Sequence, residues 1–328
     1  MINLFTHGRH AYTVTPFLKD WPNRASSCMR LVSYQKLHRI NAVRGGVFVF
    51  SDIDRLTLPQ KAMAEQLCLQ IRDCFRESVI VNHPGRVPGR YDLLMRLWRD
   101  GINRFRVFRY DEWSSGMRYP VFLRRADDHK GSLTGLLCCR EELKRRLRVL
   151  KWMGVKMNEL IAVEFCDTRG SDNFYRKYAA FRIGERVVPG HIIFSRHWVV
   201  KDSPPEPIRQ EEKSYLEENP HGEELMAIFR AANIEYGRID YAMQDGRIQV
   251  WEINTNPMLI QKKMKYAADK IPYKIKLVDR LSESFMNLRA TSISVQLPVE
   301  KRPVNLCPPL GLKLNQILAK KLNPVSLL

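Results

Sequence analysis

Four residues in the stretch RIDYAMQDGRIQVWEINTNP, Arg238 to Pro257, have the types and spacing for metal and phosphate chemistry. Arg238 and Asp240 stand one strand repeat apart, and so do Glu252 and Asn254. Asp, Glu and Asn are hard oxygen donors. Such donors suit Mg²⁺, which is held by a few carboxylates together with substrate phosphates. Burying two carboxylates without compensation costs several kcal/mol, so a core position for them would be unfavourable. The plainer reading is an exposed hairpin face carrying an Arg–Glu pair. The ending Asn-x-Asn-Pro on an otherwise apolar strand argues for the metal-type site.

Side chains alternate faces along a strand. Arg238 and Asp240 therefore point away from Ile239, Tyr241 and Met243, and Glu252 and Asn254 share a face with Ile248 and Val250. The turn decides whether the two polar sets meet. A two-residue Asp245-Gly246 loop sets Asp240 opposite Trp251 and turns Glu252 to the wrong face. A three-residue loop, Gln244-Asp245-Gly246, sets Asp240 opposite Val250 and Arg238 opposite Glu252. It puts Arg238, Asp240, Glu252 and Asn254 on one face, so the three-residue loop is expected.

The 328-residue chain has room for two or three subdomains. Its 45% hydrophobic and 10% aromatic content excludes a disordered polymer. No run of about 18 apolar residues occurs, and the first residues lack the apolar core of a signal peptide. A cytoplasmic protein is expected. The seven cysteines are scattered and form no Cys-x-x-Cys pair, which argues for free thiols rather than disulfides or zinc. The net charge of +19 favours an anionic partner: a nucleotide, a phosphorylated substrate, nucleic acid or an acidic peptide. The excess is spread along the chain, with no nucleic-acid-binding motif.

GGVFVFSDID (45–54) and ESVIVNHP (77–84) read as buried strands joined by a helix with an apolar period through Met63, Leu67, Ile71 and Phe75. That is a β-α-β unit of a parallel sheet. YDLLMRLWRDGIN is a helix ending near Gly101. YPVFLRRADDHKGSLTG (119–135) reads as a strand, a polar loop and a further strand. REELKRRLRVLKWMG (140–154) is a basic helix, LIAVEFC (160–166) a strand, and NFYRKYAAFRIGERVVPGHIIF a hairpin turning at Gly184. Residues 222–237 form an amphipathic helix leading into the Arg238 motif. Beyond residue 290 the chain is proline-rich and basic, and an extended tail is expected.

The motif GRIDYAMQDGRIQVWEINTNP resembles the C-terminal signature of ATP-grasp enzymes, in the form seen in D-alanine–D-alanine ligases. The likeness is specific over about 20 residues and follows the order of elements over roughly 80–260. It implies an α/β fold: an N-terminal pre-ATP-grasp domain (1–88), two α+β ATP-grasp lobes (89–290) that close over ATP, and the tail (291–328). It implies that Asp240, Glu252 and Asn254 bind two Mg²⁺ ions (Mn²⁺ is chemically admissible) bridging the ATP phosphates, and that Arg238 contacts the reaction intermediate. Arg124 matches a phosphate-binding basic residue at the end of YPVFLR, where the family often has Lys; its planar fork suits phosphate as well. Ser132, in DDHKGSLTG, falls in a loop over the phosphates. AVEFCDT resembles the hinge bordering adenine, with backbone at Glu164, Phe165 and Cys166 meeting the base and Asp167 or Asp172 the ribose. Lys177 and Lys201 match phosphate-approaching lysines, and Arg90 stands where a Lys is common.

The function implied is ATP-dependent ligation of a carboxylate to an amine through an acyl phosphate, with small-molecule or peptide substrates and no membrane or nucleic-acid partner. A dimer is admissible. Two other readings differ in class: an ATP-grasp kinase acting on an inositol-type or other small-molecule hydroxyl, and a non-enzymatic protein that uses its basic surface. Specificity is expected from the N-terminal domain and residues 201–221.

Overall fold

The computed structural model describes residues 1–39, 45–75, 77–113, 116–127, 131–200 and 209–293. The expected tail, the loop centre at 128–130 and Lys201 lie outside the described residues, save for the last turn of a long helix ending at Ile293.

Strands β1 (Ile2–Thr6), β2 (Met29–Ser33), β3 (Val47–Phe50) and β4 (Val79–Val81) make a sheet in the order β2-β1-β3-β4, parallel throughout. Strands β3 and β4 flank the expected helix, α2 (Leu58–Cys74), as the β-α-β reading required; a short helix, α1 (Thr15–Lys19), precedes it. Helix α2 starts where it does because Thr57 and Gln60 cap each other, Gln60 N–H donating to Thr57 Oγ1 and Thr57 N–H to Gln60 Oε1. The sequence reading had assigned neither β1 nor β2.

Helix α3 (Arg90–Arg99) ends at Gly101, whose φ of +73° is the left-handed conformation glycine favours. Strands β5 (Val107–Arg109), β6 (Val121–Arg125) and β7 (Leu160–Glu164) form an antiparallel sheet in the order β5-β7-β6. Helix α4 (Arg140–Trp152) packs Leu143 and Leu150 against the face of this sheet that carries Val121, Leu123 and Ala162. The further strand expected before residue 135 is reduced to single bridges, Arg124 to Ser132 and Val121 to Leu137.

The second lobe is an antiparallel sheet, β11-β10-β8-β9, built from β8 (Tyr175–Ile183), β9 (Arg186–Ser195), β10 (Tyr236–Gln244) and β11 (Arg247–Asn254). Helices α5 (Gln210–Glu218), α6 (Gly222–Ala231) and α7 (Ile271–Ile293) accompany it. Helix α6 is shorter than expected. Asn233 adopts φ +53° and stops it, which frees Tyr236 onward to enter β10. One core joins this sheet to the N-terminal sheet, with Phe50, Tyr178, Phe229, Ile239 and Tyr241 in the same cluster.

Candidate active site

The turn between β10 and β11 corrects the expected register. Gln244 pairs with Arg247, so the loop has two residues, and Asp245 (φ +49°) and Gly246 (φ +72°) both take the left-handed conformation of a type I′ turn. Such a loop alone would separate Asp240 from Glu252. A bulge restores the match: Tyr241 pairs with Val250 but Asp240 with Glu252, and Trp251 is the inserted residue. Arg238 then pairs with Asn254, and all four polar residues share one face. The grouping expected from the sequence is present, reached by a different register.

A second bulge sits three strands away, on β9. Ala180 pairs with Pro189 but Ala179 with His191, so Gly190 is the inserted residue. The Ala179 carbonyl and the ring of Phe181 crowd the strand there: a Cβ on Gly190 would stand 2.8 Å from Phe181 Cε2 and 3.1 Å from the Ala179 oxygen. Since Asp240 also pairs with Ala179, Glu252, Asp240, Ala179 and His191 form one row across four strands.

Cations enclose the two carboxylates. Arg238 holds Asp240 through two bonds, Nε at 2.7 Å and Nη2 at 3.1 Å. Lys177 Nζ lies 3.7 Å from the same carboxylate. Glu252 accepts from Arg90 at 2.8 Å and from Arg124 at 3.2 Å. These arginines come from α3 and β6, so the ion pairs tie the first lobe to the second. Asn254 Oδ1 accepts from the Asn256 backbone N–H at 2.8 Å, which fixes the side chain and leaves the oxygen a second lone pair. Two carboxylates and an amide oxygen on one face fit an octahedral hard cation completed by phosphates and water. Among the described residues no group of three or more His, Cys, Asp or Glu forms a self-sufficient metal cage.

Between the β5-β7-β6 sheet and the four-stranded sheet lies a cavity of about 620 Å³. Its walls include Phe122, Val163, Phe165, Cys166, Trp198 and Trp251, and its polar end includes Arg124, Ser132, Lys177, Asp240 and Glu252. The bulge presents Trp251 and Glu252 together: the indole stacks on Phe105 with centroids 5.0 Å apart while the carboxylate meets Arg90. Apolar walls with a few convergent polar groups are the usual character of a ligand cleft of this size. A second cavity, about 510 Å³, shares Lys177 and takes Arg238 and Asn254 into its wall. The carboxylate row thus lies at the partition between two cavities.

The remaining candidates divide. Glu164 points away from the cleft because strand alternation puts it on the α4 face, opposite Val121. It is buried and accepts six hydrogen bonds from the side chains and backbone N–H groups of Arg106 and Arg118. Burial alone would raise its pKa; those bonds outweigh it and hold the carboxyl below the usual range. The backbone N–H groups of Glu164 and Phe165 are already bonded, to Arg106 and Pro120 carbonyls, so base contacts at this hinge would fall to carbonyls and to Cys166. Asp167 is engaged with Arg169, and Asp172 with Arg176. Both are exposed, and neither lines the cavity.

The sequence reading missed the aromatic walls at Phe105, Phe122 and Trp198, which come from three separate segments. It also missed His191 and Lys274, which line the second cavity. Lys274 left a trace, since it precedes Leu277, Val278, Leu281 and Phe285 on the apolar stripe of α7, all of them buried.

No protein-family model matches the chain, and neither does any curated protein. Solved structures do. D-alanine–D-alanine ligase from Bacillus anthracis superposes with a TM-score of 0.50 at 14% identity, over 88% of this chain and 98% of that one. The ATP-grasp ligase PsnB, complexed with a minimal precursor, superposes with a TM-score of 0.50 at 10% identity, over 87% and 99%. The described residues contain no helix long and apolar enough to cross a membrane. With a parallel N-terminal sheet followed by two antiparallel lobes around a shared cleft, the chain has the ATP-grasp fold.

Proposed function

We propose that the protein is an ATP-dependent carboxylate–amine ligase that forms an amide or peptide bond. The observation that carries this reading is the position of the Asp240–Glu252 pair, between an aromatic-walled cavity and a cationic one. ATP occupies the first cavity with its base among Phe122, Phe165 and Trp251 and its phosphates toward Arg124 and Lys177. The acceptor occupies the second. The likeness to structures of ligases supports the class, and the pre-ATP-grasp, ATP-grasp and tail boundaries at 88 and 290 belong to the same reading.

A substrate carboxylate attacks the γ-phosphorus, the bond to ADP breaks, and an acyl phosphate forms. An amine then adds to the carbonyl carbon and inorganic phosphate leaves. Asp240, Glu252 and Asn254 would hold Mg²⁺, which supplies charge neutralisation on the phosphates. Arg124, Lys177 and Lys201 grip the transferring phosphoryl group, and Arg238, steered by Asp240, stabilises the oxyanion of the second step. Closing the lobes would exclude water from the acyl phosphate.

Mg-ATP at millimolar concentration should raise the melting temperature through binding linkage, and ATP with a chelator should do much less. Absence of both a thermal shift and calorimetric heat would end the ATP-grasp ligase reading. Mass spectrometry of products would separate ligation from hydroxyl phosphorylation.

A further inference from the structure

The second cavity contains a buried charge with no ion-pair partner among the described residues. Lys274 is only 4% exposed. Its Nζ donates to the Gly190 carbonyl at 3.1 Å and lies 5.4 Å from the Tyr266 ring centre. Among the described residues it forms no ion pair. The nearby buried carboxylate, Glu212, accepts from Lys270 at 3.1 Å. At the same cavity the Arg209 guanidinium lies over Phe194, 4.3 Å from the ring centre, and over Phe174 at 4.6 Å, again with no carboxylate partner among the described residues. Of the other wall cations, Arg55 is tied to Asp52, and Arg238 and Lys177 to Asp240, while Lys265 is exposed to solvent.

A buried ammonium without a counter-ion is unfavourable, and lysines are almost never fully buried unless paired. A neutral donor such as glutamine would satisfy the Gly190 carbonyl at far lower cost. The carbonyl alone therefore does not account for lysine here. We propose that Lys274, with Arg209 and Lys270, forms a carboxylate-binding site in the second cavity, and that the acceptor is an amino acid or short peptide bearing an acidic group beyond the one that reacts.

The wall of the same cavity also holds Arg238 and Asn254. A carboxylate held at Lys274 would direct the rest of the molecule toward the reacting centre. His191, re-aimed by the Gly190 bulge, lines the path with a neutral ring. Burial and then the charges of Arg238, Lys274, Lys177 and Lys270 hold its pKa well below the usual value. It adds an acceptor for an amine without adding another cation.

The proposal rests on the ligase reading only in calling this cavity the acceptor site; the carboxylate site itself is testable without nucleotide. Burial pushes the Lys274 pKa down to about 8. An arriving carboxylate stabilises the ammonium and pulls that value back up, so binding near that pH takes up a proton. Burial holds the His191 pKa well down and the Tyr266 pKa up, so both stay neutral there and contribute little.

Calorimetry with tri-L-glutamate, run at about pH 8 in buffers of different ionisation heat, should show binding with uptake of roughly half a proton. Lys274→Met should weaken binding at least about tenfold and abolish the uptake, while its Mg-ATP thermal shift stays as in the wild type. No binding of tri-L-glutamate at millimolar concentration, or unchanged binding and uptake in Lys274→Met, would overturn the proposal. Binding of the peptide with no Mg-ATP shift would instead keep the carboxylate site and remove the ligase reading.

Discussion

Asp240 and Glu252 face one another across the β10–β11 ladder although the turn between their strands is one residue out of phase for that pairing. The phase is recovered at Trp251. Each carboxylate is then held by cations, Asp240 by Arg238 and Lys177, Glu252 by Arg90 and Arg124. Positive charge, not carboxylate crowding, dominates the site before nucleotide arrives.

That changes what Glu252→Gln should do. Relief of crowded carboxylates would leave stability untouched. Here the substitution instead strips a partner from Arg90 and Arg124, whose side chains are 6% and 12% exposed. We expect a loss of about 1–3 kcal/mol in urea unfolding, together with loss of ATP-dependent ADP release. Unchanged unfolding and unchanged turnover would show that this face is neither the electrostatic tie between lobes nor the metal site.

Arg238→Lys keeps the charge and loses the two-bonded grip on Asp240. Nucleotide binding should hold within about threefold, because the aromatic cavity is untouched. ADP should form faster than amide, as acyl phosphate escapes to water. Coupled assay of ADP against product mass measures the ratio; a ratio equal to that of the wild type would remove Arg238 from the second step.

Glu164→Gln addresses the clamp behind the hinge. The amide N–H₂ would meet arginine donors where the carboxylate accepted, at a cost on the order of 3 kcal/mol. The folded-state pKa of Glu164 is depressed, so its stabilisation is present above the ordinary carboxylate range and is lost as pH falls below it. Urea midpoints should therefore differ most between variant and wild type at about pH 7 and converge at about pH 3. A constant gap across that range would mean that the carboxylate charge is not the source.

The hairpin and the β3–α2–β4 unit were legible because local signals carry them: an Asp-Gly turn between alternating stretches and a 3.6-residue apolar period. The bulges were not. Neither Trp251 nor Gly190 in a strand announces an inserted residue, since a bulge is set by what the neighbouring strand needs. The polar quartet was still found because it depends on residue types at even spacing, which the extra residue happens to realign. The aromatic cavity and the Lys274 site depend on contacts between segments far apart in the chain, and the one local trace, a lysine on the apolar stripe of α7, does not say what it faces. Helices α5 and α7 went unassigned; α5 has a mostly polar surface, and the apolar stripe of α7 is broken by Lys274 itself.

Asn256 closes the motif with a bond to the far end of the chain: its Oδ1 accepts from the Thr13 hydroxyl at 2.9 Å. Next to it Thr255 Oγ1 donates to Asp54 and accepts from the Ile53 N–H, and Leu259 N–H donates to the Thr13 carbonyl. These bonds make the N-terminal sheet and the proposed metal strand one mechanical body. Any opening of the cleft must then be made by the other piece, the β5-β7-β6 sheet with α4, and the latches it breaks are the Arg124–Glu252 pair and the bonds from Arg90 to the Arg125 and Ala126 carbonyls. On the proposed function, nucleotide phosphates entering the site would compete for those same arginines, and loading would itself release the latch.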